Sequence, residues 1–159
     1  MIVYLAGPIN GCSDSEAVNW REEMKARMSN MTFLDPMRRD YRGREDDCVD
    51  EIVYGDIDDI AKSNVVLANC WRPSFGTAME IYHAYTNIKL PVIVWTEAGK
   101  PVSPWLRKFS DYIVHFAIEA ESVLIRLCND CPDCGGTKAV LCDTGGVSIM
   151  KKVCPRCRA

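Results

Sequence analysis

Short apolar runs alternate with amphipathic stretches along this chain. Residues 2–6 are a continuous apolar run stopped by Gly7-Pro8, as when a buried strand breaks into a loop. Ser13 with Glu16 three positions later is a capping box. Behind it Ala17, Trp20, Met24 and Met28 recur at helical spacing, which predicts a helix to about Ser29. Residues 31–34 form a second apolar run, ended by Asp35-Pro36. Residues 37–47 are rich in Arg and Asp, show no period, and read as a mobile loop. A helix over 48–61, with Val49, Ile52, Val53, Ile57 and Ile60 on one side, then leads to a strand over 65–68. A helix over 77–87, a strand over 91–95, a helical turn over 104–109, a strand over 111–116 and a helix over 117–127 follow.

This order predicts the α/β class, a five-stranded parallel doubly wound (Rossmann- or flavodoxin-like) sheet covered on both faces. In such sheets ligands lie beyond the carboxyl ends of the strands, where the strand order reverses. The loops after the first and third strands are therefore the places to look for chemistry.

The 159 residues suit one α/β core over 1–128 and a tail over 129–159, too short to bury a core of its own. That tail carries Cys131-Pro-Asp-Cys134 and Cys154-Pro-Arg-Cys157, two CxxC pairs with nineteen residues between them. Pairs so spaced can place four thiolates around one tetrahedral ion, which predicts a zinc ribbon built on a hairpin of 138–141 and 147–153. Four protein ligands close the shell, so the Zn2+ is expected to be structural, and no cofactor is expected for catalysis. Cys128 and Cys142 are spare.

Nine cysteines, no basic segment ahead of the apolar start and no apolar run near the roughly 18 residues of a membrane span point to a reducing, cytoplasmic setting. The net charge of −3 argues against a general nucleic-acid binder. It is uneven, +3 from Cys131 onward and −6 before it. Nucleic-acid or protein contact through the ribbon stays open, although surface Lys and Arg ordinarily only solvate a face.

Three features converge on the expected strand ends. Tyr4 to Pro8 closes the first strand, Asp56 lies on the helix entering the third, and Ser74 to Glu80 leaves it. Gly76 is expected to permit a tight turn close to a ligand. Ser74 and the free amides of the following helix make an anion seat. Two carboxylates flanking one bond are what glycosidic cleavage needs, since one beneath the anomeric carbon attacks it or stabilises an oxocarbenium-like sugar. Each residue also has an ordinary reading: Asp56 with Asp58 and Asp59 as a surface acid cluster, Glu80 on a solvated helix face, Tyr4 in the core.

Tyr4-Leu5-Ala6-Gly7-Pro8, then Asp56 and Asn64-Val65-Val66-Leu67-Ala68, then Pro73-Ser74-Phe75-Gly76-Thr77-Ala78-Met79-Glu80-Ile81 resemble the nucleoside 2-deoxyribosyltransferase superfamily over residues 1–121. The resemblance implies an enzyme acting on a small nucleoside or nucleotide, with Glu80 as nucleophile, Tyr4 orienting it, and Asp56 on the sugar hydroxyls or the departing base. It places substrate contacts at Gly7, Pro8, Ile9, Asn10, Ser74, Gly76 and Thr77.

Ser74 stands where nucleotide-specific members bind phosphate and many free-nucleoside transferases carry Asp. That favours the branch hydrolysing (deoxy)nucleoside 5′-monophosphates over the branch exchanging bases. Asn10 lacks the Arg that some members have there, a charge for which Arg38 or Arg72 would have to compensate. Ser103 resembles a serine that reaches a neighbouring subunit's phosphate, implying a homodimer. A reading of another class is a non-catalytic nucleotide-binding adaptor with the ribbon as recruiter; the joint presence of Tyr4, Asp56 and Glu80 favours the enzyme.

Overall fold

In the computed structural model, the described residues are 1–129 and the backbone of 139–142 and 150–153. Five strands, β1 (Ile2–Ala6), β2 (Thr32–Leu34), β3 (Val65–Asn69), β4 (Val92–Trp95) and β5 (Tyr112–Val114), form one sheet in the order β2-β1-β3-β4-β5. Every pairing is parallel, with Tyr4 beside Leu34 on one side and Val66 on the other. The helices are α1 (Asp14–Arg27), α2 (Val49–Lys62), α3 (Phe75–His83), α4 (Pro104–Lys108) and α5 (Ala117–Asn129). The last ends one residue past the boundary expected for the core.

Alternation along β1 divides the interior. Val3 and Leu5 join Trp20, Met24, Ala120 and Leu124 in the layer under α1 and α5. Tyr4 and Ala6 join Ile60, Ile81 and Ala84 in the layer under α2 and α3. Successive side chains of a strand point to opposite faces, so the parity of β1 aims Tyr4 at the helices that carry Asp56 and Glu80. The strand order reverses between β1 and β3, and the ends of these two strands flank the crevice there.

Helix α1 begins at the capping box expected for it, with Ser13 accepting the Glu16 amide and Glu16 returning to the Ser13 amide. One of its buried side chains is missed by an apolar count. Arg21, fully buried, donates to the carbonyls of Ala17 and Gly7, lies 3.2 Å from Asp35 and stacks 4.4 Å over Trp20. Asp35 also meets Lys25 at 2.6 Å. A buried guanidinium is tolerable when paired and hydrogen-bonded; this one ties the loop after β1 to the end of β2.

The segment expected as a mobile loop contains two 3-10 turns, Pro36–Arg39 and Glu45–Asp47. Charge pairs rather than an apolar stripe hold it. Arg38 and Arg39 reach Asp59, and Arg42 reaches Asp14 and Asp40. A segment fixed by ion pairs leaves no hydrophobic period to read.

In the tail, β6 (Ala139–Cys142) and β7 (Met150–Val153) pair antiparallel, with Ala139 opposite Val153. The chain therefore enters and leaves this hairpin at one end. Cys131, Cys134, Cys154 and Cys157 lie outside the described residues. Among the described residues no helix is long and apolar enough to cross a membrane.

Among the described residues, Gly7 is the one glycine where an added Cβ would force a neighbouring ring to shift. A Cβ there would sit 2.7 Å from the Trp20 ring and 3.4 Å from the Asn69 carbonyl. Gly7→Ala is expected to destabilise the fold by about 1–3 kcal/mol, the range for overpacking a close contact, read as a lower urea midpoint at unchanged slope.

Candidate active site

Beyond the ends of β1 and β3 opens a cleft of about 360 Å³, within the size range of small-ligand sites. The loop after β1, the first two turns of α3, the side of α2 and the 3-10 segment wall it. Gly7, Ile9, Asn10, Asp56, Ser74, Gly76, Thr77 and Glu80 all line it. Tyr4 lies beneath, and its hydroxyl donates to Glu80 Oε1 at 2.8 Å. Pro8 is buried behind the loop. Ser103 does not line this cleft. It caps α4, accepting the Trp105 amide at 3.3 Å, and borders a neighbouring cavity with Arg72 and Thr96.

The tight turn expected at Gly76 is absent. Ser74 is the N-cap of α3, so the helix starts at Phe75 and Gly76 falls in its first turn without a positive φ. A Cβ on Gly76 would meet nothing within 4 Å. The missing side chain leaves the cleft open rather than relieving backbone strain. Ser74 Oγ accepts the Thr77 amide at 3.3 Å, which leaves its own proton free to donate. The Phe75 and Gly76 amides head the helix with no intrahelical acceptor. Thr77 Oγ1, buried, has no hydrogen-bond partner. Hydroxyls and amides therefore converge at this helix start, as an anion or sugar oxygen requires.

The acids of α2 have separate fates. Asp58 is exposed and pairs with Lys62. Asp59 is buried and held by Arg38 at 2.6 Å and Arg39 at 2.9 Å. Asp56 is half-buried, lines the cleft and accepts from Arg39 at 2.8 Å. The surface-cluster reading thus holds for one of the three.

Neither Arg38 nor Arg72 supplies charge to the cleft, because Arg38 turns to Asp59 and Arg72 to the Gly11 carbonyl at 3.1 Å. The guanidinium groups along the wall belong to Arg39 and Arg42. Arg39 is the residue that sequence reasoning missed. Its signal was Gly55, a glycine inside a helical pattern, which usually marks close packing.

The two carboxyls titrate as neighbours. Burial pushes Glu80 up to about 7, and the charge of Asp56 adds to this, while the Tyr4 hydrogen bond and Arg21 act the other way. Burial also raises Asp56, opposed chiefly by Arg39. Tyr4 is held well above the usual phenol range by burial and then by the Glu80 charge, so it remains a donor.

No protein-family model matches the chain, and no curated protein sequence matches it. Among solved structures, a 2-deoxyribosyltransferase from the psychrotolerant bacterium Bacillus psychrosaccharolyticus superposes with a TM-score of 0.64. The match covers 76% of this chain and 90% of that one, at 15% identity. At that identity the likeness establishes a common fold; what the cleft does must be argued from its own residues.

The raised Glu80 carries a stability consequence. Between the ordinary carboxyl range and about 7 the folded chain keeps a proton that the unfolded chain gives up, so stability falls as pH rises through that window. Glu80→Gln keeps the acceptor for Tyr4 and removes the charge. It is expected to be more stable than the wild type at pH 8, by on the order of 2 kcal/mol, with the difference vanishing near pH 4.5 in denaturant titrations.

Proposed function

We propose that this chain breaks the N-glycosidic bond of a nucleoside 5′-monophosphate, with Glu80 as the nucleophile. One observation carries the reading: a partly enclosed carboxyl, hydrogen-bonded by a buried tyrosine, meets a second carboxyl on the wall of a cleft with room for a small ligand. A site that only bound nucleotide would have no use for such a pair, since two partly desolvated acids weaken the fold.

In this reading the ionised Glu80 attacks the anomeric carbon as the base leaves with the bonding electron pair. Solvent supplies a proton to the base nitrogen, to be returned when water later opens the ester, and a glycosyl ester remains on Glu80. Tyr4 keeps the attacking carboxylate in line. Asp56 accepts from the sugar hydroxyls. Water then breaks the ester, releasing the sugar phosphate and restoring the carboxylate. The phosphate rests on the Ser74 hydroxyl and the amides of Phe75 and Gly76, with Thr77 donating its spare proton.

A second reading is base exchange on a free nucleoside, with a second base in place of water. Its support is the charge of the cleft, where Asp40, Glu45 and Asp46 stand with the two central acids against only Arg39 and Arg42.

The tail is proposed to hold one structural zinc through Cys131, Cys134, Cys154 and Cys157, bracing the β6–β7 hairpin. A homodimer is proposed as well; the exposed Phe75, Met79, Tyr82 and Trp105 offer it an apolar surface.

Incubation with dAMP, dCMP, dGMP, dTMP and CMP, and with the matching nucleosides with and without an acceptor base, is expected to release free base measurable by chromatography. Glu80→Ala should lower that rate at least about 1000-fold while nucleotide still binds. Absence of release from every compound by the wild-type chain would end the enzymatic reading.

Ser74→Asp separates the two substrate classes. Asp caps a helix as well as Ser does, so α3 persists, but its charge repels a phosphate. The KM for monophosphates should rise about tenfold or more while that for nucleosides stays within about twofold. Equal effects on both would favour the free-nucleoside reading.

A further inference from the structure

Gly55 lies in the interior of α2, where glycine weakens a helix. A Cβ at this position would lie 3.0 Å from Arg39 Cζ, 3.1 Å from Nη2 and 3.2 Å from Nε. The guanidinium therefore rests directly on the helix backbone. From that seat one nitrogen reaches Asp56 at 2.8 Å and the other reaches Asp59 at 2.9 Å. Asp59, with 3% of its side chain exposed and Arg38 on its other oxygen, anchors the fork. Glu80 has no guanidinium in contact; it accepts from the neutral Tyr4 hydroxyl and meets Asp56 itself.

We propose that Arg39, seated on Gly55, is a positioning residue that fixes Asp56 as the ionised member of the carboxyl pair and leaves the shared proton to Glu80. The other charged groups around the pair do not make this choice. Arg21, on α1, pairs with Asp35 and the Gly7 carbonyl and acts on Glu80 only through its charge, without contact. Tyr4, on β1, donates to Glu80 without carrying charge. Cys70, after β3, is a half-buried thiol pushed up to about 12 by desolvation and so neutral. Asp59 is bound to the same fork. Along the outer wall, Arg42 is taken by Asp14 and Asp40, and Glu45 and Asp46 add only negative charge.

A cation in contact with one acid of a coupled pair stabilises its anion above that of its neighbour, and so decides where the last proton sits. This rests on the proposed function for its consequence: Asp56, as a fixed anion, is the acceptor for sugar hydroxyls, and Glu80 must ionise before it attacks.

The direct test needs no substrate. In the full-length chain labelled with carbon-13, the carboxyl signals of positions 56 and 80 are assigned with Asp56→Asn and Glu80→Gln and followed against pH. In the wild type, Glu80 is expected to be the carboxyl that titrates in the upper step. In Arg39→Gln, the upper step should move to Asp56 and rise by about one pH unit. Gly55→Ala retains every charge and favours the helix, yet displaces the guanidinium; it should transfer part of the upper step in the same direction and covers the case that Arg39→Gln folds poorly. Arg39→Lys, a point charge without a fork, should restore the step to Glu80 in part.

A merely structural Arg39 would change stability and leave the assignment of the upper step untouched. Glu80 retaining that step in both Arg39→Gln and Gly55→Ala would overturn the proposal, whether or not the chain releases base. Conversely, a chain that releases no base but shows the predicted transfer would refute the enzymatic reading alone.

Discussion

The hydrogen bond from Tyr4 to Glu80 joins the central strand β1 to helix α3 across the point where the strand order reverses. Both partners depend on the fold around them. Tyr4 is fully buried, and its hydroxyl would be an orphan without an acceptor. Glu80 is drawn out of water beside another acid, a position that raises its proton affinity. Each group supplies what burial has taken from the other. The bond exists only because β1 presents Tyr4, and not Val3 or Leu5, to the α2–α3 layer. A slip of one residue in β1 would send the hydroxyl into the opposite layer among Trp20 and Met24.

Around that bond, two separate polar clusters fasten segments that the apolar layers do not hold. Arg21, Asp35 and Lys25 hold the loop after β1 to the end of β2 from below. Arg39, Asp56 and Asp59 hold the 3-10 segment to α2 from the side. Each joins separate segments of the chain, and the second, through Arg39 and Asp56, borders the cleft. Removing one partner of such a cluster strands the others in a poorly hydrated place, which costs more than the pair's own attraction. The cleft is thus framed by charge pairs while its floor is left to hydroxyls and amides.

Apolar runs of the right length carried most of the architecture. Strands β1, β3 and β4, buried on both faces, are continuous hydrophobic stretches, and the capping box at Ser13 and Glu16 marked the start of α1. Position put Tyr4, Asp56 and Glu80 near those strand ends, the resemblance gave them roles, and in the structure the three side chains meet at one cleft. What escaped was of one physical kind. Arg21, Arg39 and the 3-10 segment owe their places to specific charged partners, which leave no period in the chain. Gly76 was misread for a related reason: its empty surroundings are a property of the cleft, visible only once the cleft exists. Ser103, assigned from resemblance, lies outside the cleft of its own chain.

The charge of the cleft constrains how a phosphate would be held if the substrate carries one. Arg39 and Arg42 are the cations that line it among the described residues, and both already face carboxylates. A phosphate would therefore meet dipoles rather than countercharge: the Ser74 hydroxyl, the Phe75 and Gly76 amides and the Thr77 hydroxyl at the start of α3. The field of a helix start is worth about 0.3–1 kcal/mol near the surface and up to about 2 kcal/mol where partly buried. That is too little to overcome the acids nearby at long range, but it acts over a single turn and in a fixed direction. On the monophosphate reading, the phosphate contributes orientation more than affinity. It would fix one end of the sugar at α3 while Asp56 takes the hydroxyls, leaving the anomeric carbon the part free to approach Glu80.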